Sequence, residues 1–582
     1  MAKNKKKNDK TIQRDSFENP LCYLMAICPF LIGLAYEYLI LFATCVVLIV
    51  LLICVLKRRK ITIYASVGSV AGLLMLIFSG VSVFTGLIPG ESVFGFLRVL
   101  CASIWVLLLM QLSTEEKDQA LGVIPEVAAV MTVVSALMYT MGSVANFVFN
   151  NGRMSGFFQY ANTFALYLLV AFVIRTNQNC KHTAKDKKEK VKQYLYPMIY
   201  LIGILWSGSR TTFFMTAAVI LITIIRKKQV RKYYSLLTLA GIVGVVVYVA
   251  VTGRMESIGR FLTTSITSST LVGRVLYWQD AIRMLLSHPQ GIGYMGFYFL
   301  QGKEQTGVYS VQFVHNEWLQ MALDFGVLFL VAFVVLFVYQ FKHIDGEKRS
   351  ILLLIGVHMA MDFDLQFMSI LWVLLLSMDW QLGKKMIWDM ETKKASKPLI
   401  WTFCFLFWGV SGWLGLGNAL YQQGSFDASV AIYPWSLRAQ EQYMLASSTA
   451  EEYEVRAKKV LSLYEDDAPA LDIMALCEAE KGDYISVEQY KKHSLQVQKY
   501  RTECYDDYIM MMDTGAQQYK EMGDEAACEK CVKSLLEIPE LLEEVEQNTN
   551  PLAYKINDKP NFTLSEKSRS ILDKWRQCQY NF

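Results

Sequence analysis

The sequence of 582 residues is poor in charge, in proline and in histidine. Charged residues make up 19% of it and hydrophobic residues 53%. A typical soluble chain carries about 25% charge, so a wholly soluble protein is excluded. The 12 prolines and the high apolar content also exclude a disordered or collagen-like chain. The six histidines form no cluster with metal-ligand spacing, and we expect no metal site and no other cofactor.

The chain consists of two parts of opposite charge. From Tyr421 to the end, 18 Lys+Arg and 29 Asp+Glu give a net charge of −11. Residues 1–420 carry 39 basic and 23 acidic residues, a net charge of +16. We therefore expect a basic N-terminus at residues 1–20, an all-α multispan membrane domain at 21–420 and a separate α-helical domain, the tail, at 421–582.

Apolar runs long enough to cross a bilayer recur as far as Leu420. They predict an all-α polytopic protein of about 12–13 transmembrane helices. The predicted spans are residues 21–36, 38–56, 61–80, 93–113, 119–141, 156–176, 195–208, 211–226, 235–252, 318–341, 349–361, 366–382 and 398–420. The first run leads directly into the second with no small-residue cleavage site, so we do not expect a cleaved signal peptide.

The Lys/Arg-rich segments predict the orientation, because such segments face the cytoplasm. They are Lys3 to Lys10, Lys57–Lys60, Lys181 to Lys192, Arg226–Lys232, Lys342 to Arg349 and Lys384–Lys397. With the N-terminus inside and thirteen spans, all six segments fall on the cytoplasmic side. A long loop at 253–317 and the tail are then extracytoplasmic.

The tail contains three glycine-centred turns between apolar helical segments, at Gly424, Gly482 and Gly523, with Pro434 and Pro539 predicted to close the first and third. This arrangement resembles tetratricopeptide repeats, although the glycine spacing exceeds the usual 34 residues. An ordinary α-helical domain is the alternative. Whether it is a repeat domain or an ordinary helical domain, we expect the tail to be a docking surface, to which a protein partner could bind. Cys528 and Cys531 have redox or zinc spacing, but we expect buried structural cysteines because no second pair accompanies them.

The long loop holds the most informative pattern in the chain. Residues 271–286 predict an amphipathic helix with Arg274, Trp278 and Ala281 on one face. A glycine-rich stretch follows at 291–296, and His315 then leads directly into the span at 318–341.

In this order the motifs resemble the O-antigen ligase / Wzy-type polymerase superfamily. The matching residues are Gly152, Arg153, Gly156, Phe157 and Asn162; Ser207, Gly208, Ser209 and Arg210; Gly273, Arg274, Trp278, Ala281, Pro289, Gly291, Gly293, His315, Asn316, Leu319 and Gly326; and His358, Asp362, Phe363 and Asp364. The resemblance covers roughly residues 20–420. One departure is that Val327, Leu328 and Phe329 follow Gly326, where the family often has a second glycine.

The resemblance implies a GT-C-like glycosyltransferase of the bacterial cytoplasmic membrane. Such an enzyme moves a glycan from a polyprenyl pyrophosphate, such as undecaprenyl pyrophosphate, to a glycan, lipid or protein acceptor outside. It would act by inversion and without a metal. Ligase and polymerase remain alternatives, and no nucleic-acid partner is expected.

Three external arginines, Arg153, Arg210 and Arg274, suit a lipid pyrophosphate, because guanidinium groups bind phosphate oxygens in pairs. The alternative is that they pair with carboxylates such as Glu256 or Asp280, or extend along the membrane surface.

His315 is the candidate general base, since a histidine side chain can accept a proton near neutrality. The alternative is a capping or membrane-anchoring histidine. Supporting roles are predicted for Asn316, as an orienting or capping residue, and for Trp278. His358 and Asp362, four residues apart, are predicted to touch on one helix, either as support for the site or as a structural pair.

Two functions other than glycan transfer are alternatives for this sequence. One is a transporter or flippase of lipid-linked saccharide, for which polar groups near the middle of the bilayer and paired broken helices would be expected. The other is a membrane scaffold that displays the helical tail. The predicted polar groups lie at span ends, which favours the enzyme.

Overall fold

The computed structural model describes residues 19–181, 186–239, 241, 269–391 and 397–579. The described chain is almost wholly helical, which confirms the all-α polytopic fold. The helices before the tail are α1 (Pro20–Ile27), α2 (Glu37–Arg58), α3 (Val67–Thr85), α4 (Pro89–Gln111), α5 (Thr114–Thr140), α6 (Ala145–Val148), α7 (Ala161–Lys181), α8 (Lys187–Ser207), α9 (Arg210–Arg226), α10 (Ser269–Ser287), α11 (Gly296–Glu304), α12 (Glu317–Phe325), α13 (Val327–His343), α14 (Gly346–His358), α15 (Met368–Leu376) and α16 (Lys397–Gln422), and residues 231–239 are also helical.

The tail continues with helices of 7–23 residues. They are α17 (Phe426–Ile432), α18 (Leu437–Leu445), α19 (Ala450–Leu463), α20 (Ala468–Glu480), α21 (Tyr484–Val497), α22 (Thr502–Met522), α23 (Glu525–Gln547) and α24 (Glu566–Gln579). The strands are short: β1 (Lys60–Ala65), β2 (Phe149–Asn150), β3 (Arg153–Met154) and β4 (Met386–Glu391). Single 3₁₀ turns occupy Cys28–Phe30, Ile32–Leu34, Gly142–Val144, Gly156–Phe158, Asp364–Gln366 and Pro551–Lys555.

Within the described residues, five helices are long and apolar enough to cross a membrane: α2, α3, α4, α5 and α16. Most of the remaining predicted spans form shorter or more polar helices, and most of the span at 235–252 lies outside the described residues. The count of about thirteen therefore stays a prediction. Residues 60–65, which include the start of the predicted span at 61–80, form strand β1 instead of helix.

The predicted span at 318–341 is divided into α12 and α13 at Gly326, which has a φ of +90°. The glycine-rich stretch packs against this break. The Val327 amide donates to the Pro289 carbonyl at 3.0 Å, and a β-carbon on Gly326 would lie 2.6 Å from the Gln290 carbonyl oxygen. Glycine is thus required at 326 both by its φ and by the close approach of the loop.

The two ends of the helix bundle differ in charge. At one end β1 pairs antiparallel with β4, and Lys348 lies 2.7 Å from Asp118. The described parts of the predicted cytoplasmic Lys/Arg segments after the N-terminus gather at this end. The opposite end carries the start of α7, the α8–α9 corner, α10–α12 and the tail.

Helix α7 lies at the centre of the bundle. Nearly every residue from Ala161 to Ile174 is buried. Because the helix is enclosed on all sides, the polar side chains at its start, Asn162 and Thr163, have fixed partners. These partners belong to the site described below.

The tail contains the predicted glycine turns. Gly424, Gly482 and Gly523 have φ values of +77° to +79° and join α16 to α17, α20 to α21 and α22 to α23. Glycine takes this left-handed conformation at helix ends without steric cost. The prediction that Pro539 closes the third segment is wrong: it lies inside α23. The buried stripe of Leu535, Ile538 and Leu542 continues past it, so packing favours the longer helix.

The tail is docked on the membrane domain through a buried ion pair. Arg438, at the start of α18, lies 2.8 Å from Glu91 and 3.6 Å from Glu37. The side chain of Arg438 is 10% exposed and that of Glu91 is 0% exposed. A second, more exposed pair joins Lys303 of α11 to Asp466 at 2.7 Å. The Lys303–Asp466 pair connects the tail to α11, the helix that precedes His315 in the chain.

Candidate active site

The carboxylate of Asp362 is the centre of a polar cluster at the end of the bundle that also carries the start of α7 and the tail. It is 2% exposed and follows α14 in a turn. Its Oδ1 lies 3.2 Å from Nδ1 of His315, and its Oδ2 lies 3.3 Å from an Nη of Arg274. A base candidate and a phosphate-binding candidate, predicted from opposite ends of the long-loop motif, therefore share one carboxylate.

Two residues at the start of α7 complete the hydrogen bonding of this carboxylate. Tyr160 donates its hydroxyl to Oδ1 at 2.8 Å, and Asn162 donates its side-chain amide to Oδ2 at 2.6 Å. With these donors the carboxylate is satisfied and fixed in orientation. Sequence reasoning gave Asn162 only a place in a motif and missed Tyr160.

The environment of Asp362 favours the charged form. Burial by itself would raise its pKa, but the hydrogen bond from His315 and the nearby charge of Arg274 hold the pKa of this carboxyl well below its usual range. An ionised carboxylate only accepts hydrogen bonds, so Nδ1 of His315 carries the proton. The other ring nitrogen, Nε2, is then free to act as a base.

His315 is held at the end of the loop in a strained backbone conformation, with a φ of +55°. Its side chain is 21% exposed. The ring of Phe363 lies 5.0 Å from the imidazole, centroid to centroid. Asn316 caps α12 by accepting from the Leu319 amide at 3.2 Å, so the predicted capping geometry is present.

Arg153 is joined to the same cluster through Asn162. One guanidinium nitrogen donates to the Asn162 side-chain oxygen at 2.6 Å, and Nε donates to the Ser207 carbonyl at 2.7 Å. Asn162 therefore connects Arg153 and Asp362, one on each end of its amide. These contacts leave part of the guanidinium available to an anion.

Arg210 begins α9 at the corner formed by Ser207, Gly208 and Ser209, where Gly208 has a φ of +63°. Its side chain is half-buried and makes no hydrogen bond or ion pair with any described residue. It is near enough to Arg153 for its charge to lower the pKa of that guanidinium, although burial is the larger cause. An unpaired arginine beside another cation is well suited to bind an anion.

The prediction that His358 touches Asp362 is wrong. Helix α14 ends at His358, so the four-residue spacing is not helical there. His358 instead lies 2.6 Å from Asp364 through Nδ1 and 3.1 Å from the Thr212 hydroxyl through Nε2. The Asp364 carboxylate also accepts from Thr163 at 2.8 Å. This buried chain ties the first turn of α9, and with it Arg210, to α7 and the Asp362 turn.

Trp278 does not join the polar cluster. It packs in an apolar cluster with Leu276, Phe297 and Leu323, below the loop. Its neighbour Asp280 is 1% exposed and holds the loop by accepting from Arg283, Thr306 and Tyr309 at 2.7–2.9 Å. Of the alternative partners predicted for the arginines, Asp280 is thus already occupied, and Glu256 lies outside the described residues.

No group of three or more metal-ligating side chains occurs in the part of the chain that the structure describes. Cys528 and Cys531 are both buried in the packing face of α23. The charges available for an anionic substrate at this site are those of the arginines.

Residues 196–334 match the family model for O-antigen ligase. This part of the chain is therefore similar to the O-antigen ligase family, which supports a glycan-transfer role at a coarse level. The matched region contains Arg210, Arg274 and His315 but ends before Asp362, which joins two of them. A comparison with curated proteins finds no match.

Proposed function

We propose that this protein transfers a glycan from a polyprenyl-pyrophosphate carrier to an acceptor hydroxyl on the outer side of the bacterial cytoplasmic membrane. The observation that carries the proposal is the shared carboxylate of Asp362, 3.2 Å from His315 and 3.3 Å from Arg274. It holds a base next to a cation, as transfer from a pyrophosphate requires.

In the proposed reaction, Nε2 of His315 takes the proton of the acceptor hydroxyl. The hydroxyl oxygen attacks the anomeric carbon as the bond from that carbon to the pyrophosphate oxygen breaks. A single displacement of this kind inverts the anomeric centre. Asp362 stabilises the imidazolium that forms, in the way a carboxylate orients and supports a catalytic histidine.

The electrons of the broken bond leave with the pyrophosphate, whose charge then increases. Arg274 and Arg210, with Arg153, are positioned to stabilise that charge. Arg210 has no described partner to lose, so it binds the anion without first breaking an ion pair. The mechanism assigns no role to a metal, and a chelator is expected to leave the rate unchanged.

The charge difference between the two ends of the bundle supports the proposed orientation. Lys/Arg-rich segments lie at the end opposite the site, and such segments face the cytoplasm. A lipid carrier is supported by a mostly apolar cavity of about 300 Å³ between α3, α4, α12, α13 and α15. Leu73 lines it and is 59% exposed on the apolar helix α3.

The test uses the purified full-length protein in lipid vesicles with a polyprenyl-pyrophosphate oligosaccharide and EDTA, without nucleotide. His315→Ala is compared with His343→Ala, which changes a histidine at the C-terminal end of α13. We expect transfer to be lost only in His315→Ala.

The products distinguish the remaining alternatives. A ladder of glycan lengths indicates a polymerase, and a single product that requires an added lipid, glycan or protein acceptor indicates a ligase. If lipid-linked saccharide crosses the vesicle membrane and no donor is turned over, the proposal is wrong and the protein is a transporter.

A further inference from the structure

A second cavity, of about 390 Å³, lies between the membrane domain and the tail. We call it the interdomain cavity. The membrane domain contributes Tyr36 and Tyr298 to its wall, and the tail contributes Gln442 and Glu441. Its volume is within the range of sites for small ligands.

The wall of the interdomain cavity combines flat aromatic rings with side-chain amides. Tyr36, Tyr298 and Tyr421 supply rings and hydroxyls, and Gln422 and Gln442 supply amides. A saccharide presents apolar C–H faces, which pack on aromatic rings, and many hydroxyls, which need both donors and acceptors. Side-chain amides provide both.

Several of these polar groups have no partner among the described residues. Within the described residues, the side chains of Gln422, Gln442 and Glu441 form no hydrogen bond or ion pair. Gln422 is exposed and Glu441 and Gln442 are partly exposed, so water can occupy their hydrogen bonds until a ligand displaces it. Their free donors and acceptors face a space that a ligand with hydroxyl groups would satisfy.

The charges around the interdomain cavity argue against an anionic ligand. Arg438 lines it but is already neutralised by Glu91 and Glu37. None of Arg153, Arg210 and Arg274 lines it. The pyrophosphate site and this cavity are therefore chemically different, and a neutral saccharide fits the cavity better than an acidic sugar or a phosphate.

The interdomain cavity adjoins the candidate base. Phe363 follows Asp362 in the chain and lines the cavity, and its ring centroid is 5.0 Å from that of His315. Phe313, also in the wall, has its ring centroid 5.0 Å from that of Phe363. A single layer of aromatic side chains thus separates the cavity from His315, on a side that holds no phosphate-binding arginine.

We infer that the interdomain cavity is the subsite for a neutral saccharide portion of the acceptor, bound jointly by the membrane domain and the tail. The claim that the bound saccharide is an acceptor rests on the proposed transfer function. The claim that the cavity binds a neutral saccharide does not depend on it. The tail residues Gln422, Gln442 and Glu441 would then select the acceptor.

The binding test uses an array of neutral and acidic oligosaccharides and the detergent-solubilised full-length protein. The variants are Gln442→Trp, which fills the cavity, and Gln442→Ala, which removes the amide with little risk to folding. Gln423→Ala is the matched control, since Gln423 is an exposed neighbour of Gln422 outside the wall. His315→Ala tests whether saccharide binding is separate from catalysis.

We expect selected neutral oligosaccharides to bind and acidic ones not to. Gln442→Ala should weaken binding about tenfold, as loss of one or two hydrogen bonds does. Gln442→Trp should abolish binding, and Gln423→Ala and His315→Ala should retain it. In the vesicle assay, Gln442→Ala should raise KM for the acceptor and leave KM for the donor unchanged.

Binding of acidic glycans alone, or neutral binding that survives Gln442→Trp, would overturn the subsite. If the protein binds no glycan on the array but still transfers a glycan in a His315-dependent way, the subsite is wrong. The proposed function then still stands. If glycans bind through Gln442 but no donor is turned over, the acceptor role and the proposed function are both wrong.

Discussion

The imidazole of His315 and the carboxylate of Asp362 are 47 residues apart in the sequence and 3.2 Å apart in the fold. The same carboxylate contacts Arg274 from the long loop and Asn162 from α7. One buried acid therefore joins three segments of the chain. The predictions below test what this arrangement and the docked tail contribute.

Asp362→Asn removes the charge that orients His315 and pairs with Arg274. We expect kcat for glycan transfer to fall about 10²-fold or more, the usual scale for losing the support of a general base. Asp345→Asn, at the opposite end and 88% exposed, is the matched control. The measurement is steady-state transfer in vesicles. Near-normal kcat in Asp362→Asn would show that the pair is structural.

Arg210→Ala removes a guanidinium with no described partner. We expect the melting temperature to stay unchanged while transfer efficiency falls about 10- to 100-fold, the effect of losing hydrogen bonds to a charged group. Arg283→Ala is the control on the same surface, because Arg283 is paired with Asp280. A large loss of thermal stability in Arg210→Ala with normal donor affinity would contradict a pyrophosphate-binding role.

Thr212→Val removes the hydroxyl that connects His358 to α9, 3.1 Å away. We expect KM for the donor to rise several-fold because Arg210 is less firmly placed. The free energy of unfolding should fall by about 1–3 kcal/mol, since a buried histidine nitrogen loses its partner. Thr216→Val is the isosteric control, because Thr216 bonds only within its own helix. Equal effects of the two variants would disprove the positioning role.

Glu441→Gln tests the charge state of the interdomain cavity. Burial, with a contribution from the charge of Asp467, raises the pKa of Glu441 to about 7. A raised pKa of an acid means that its contribution to stability is present at low pH and is lost as pH rises through about 7. The free energy of unfolding of the variant should therefore match that of the wild type at pH 5 and exceed it at pH 8 by roughly 1–3 kcal/mol. Thermal unfolding measured between pH 5 and pH 8 checks this prediction. If the variant is no more stable than the wild type at pH 8, the prediction is wrong.

Arg438→Ala leaves Glu91 buried without its partner. We expect a loss of about 3–5 kcal/mol in unfolding free energy, as for other broken buried pairs. Limited proteolysis should also release the tail faster. Lys303→Ala breaks the exposed interdomain pair, and its cost should be about 0–1 kcal/mol. Equal protease resistance of Arg438→Ala and the wild type would mean that other contacts alone dock the tail.

Much of the candidate site could be named from the sequence because particular residue types recur there in recognisable motifs. His315, Arg210, Arg274 and Arg153 were named from sequence, and the structure brings them to one end of the bundle. Tyr160, Thr212 and the pairing role of Asp364 were missed. Their partners are 146–202 residues away for Tyr160 and Thr212, and no local pattern encodes such distances.

The predicted helical contact between His358 and Asp362 failed for a local reason. The four-residue spacing applies only while a helix continues, and α14 stops at His358. The chain then turns, so that Asp362 faces His315 and Asp364 faces His358. Helix α23 shows the opposite behaviour, because it continues past Pro539 where an end was predicted. Its buried side chains stabilise the helix on both sides of the proline.

The sequence by itself determined the membrane class, the acidic helical tail, the three glycine turns and the main polar residues of the site. Periodicity, composition and glycine stereochemistry are local properties, and a single sequence records them. Only the tertiary structure decided which acid pairs with which base, how α12 and α13 divide at Gly326, and that the tail closes a cavity beside His315. Those outcomes depend on burial, since a charge removed from water takes whichever distant partner the packing of the helices brings within hydrogen-bond distance.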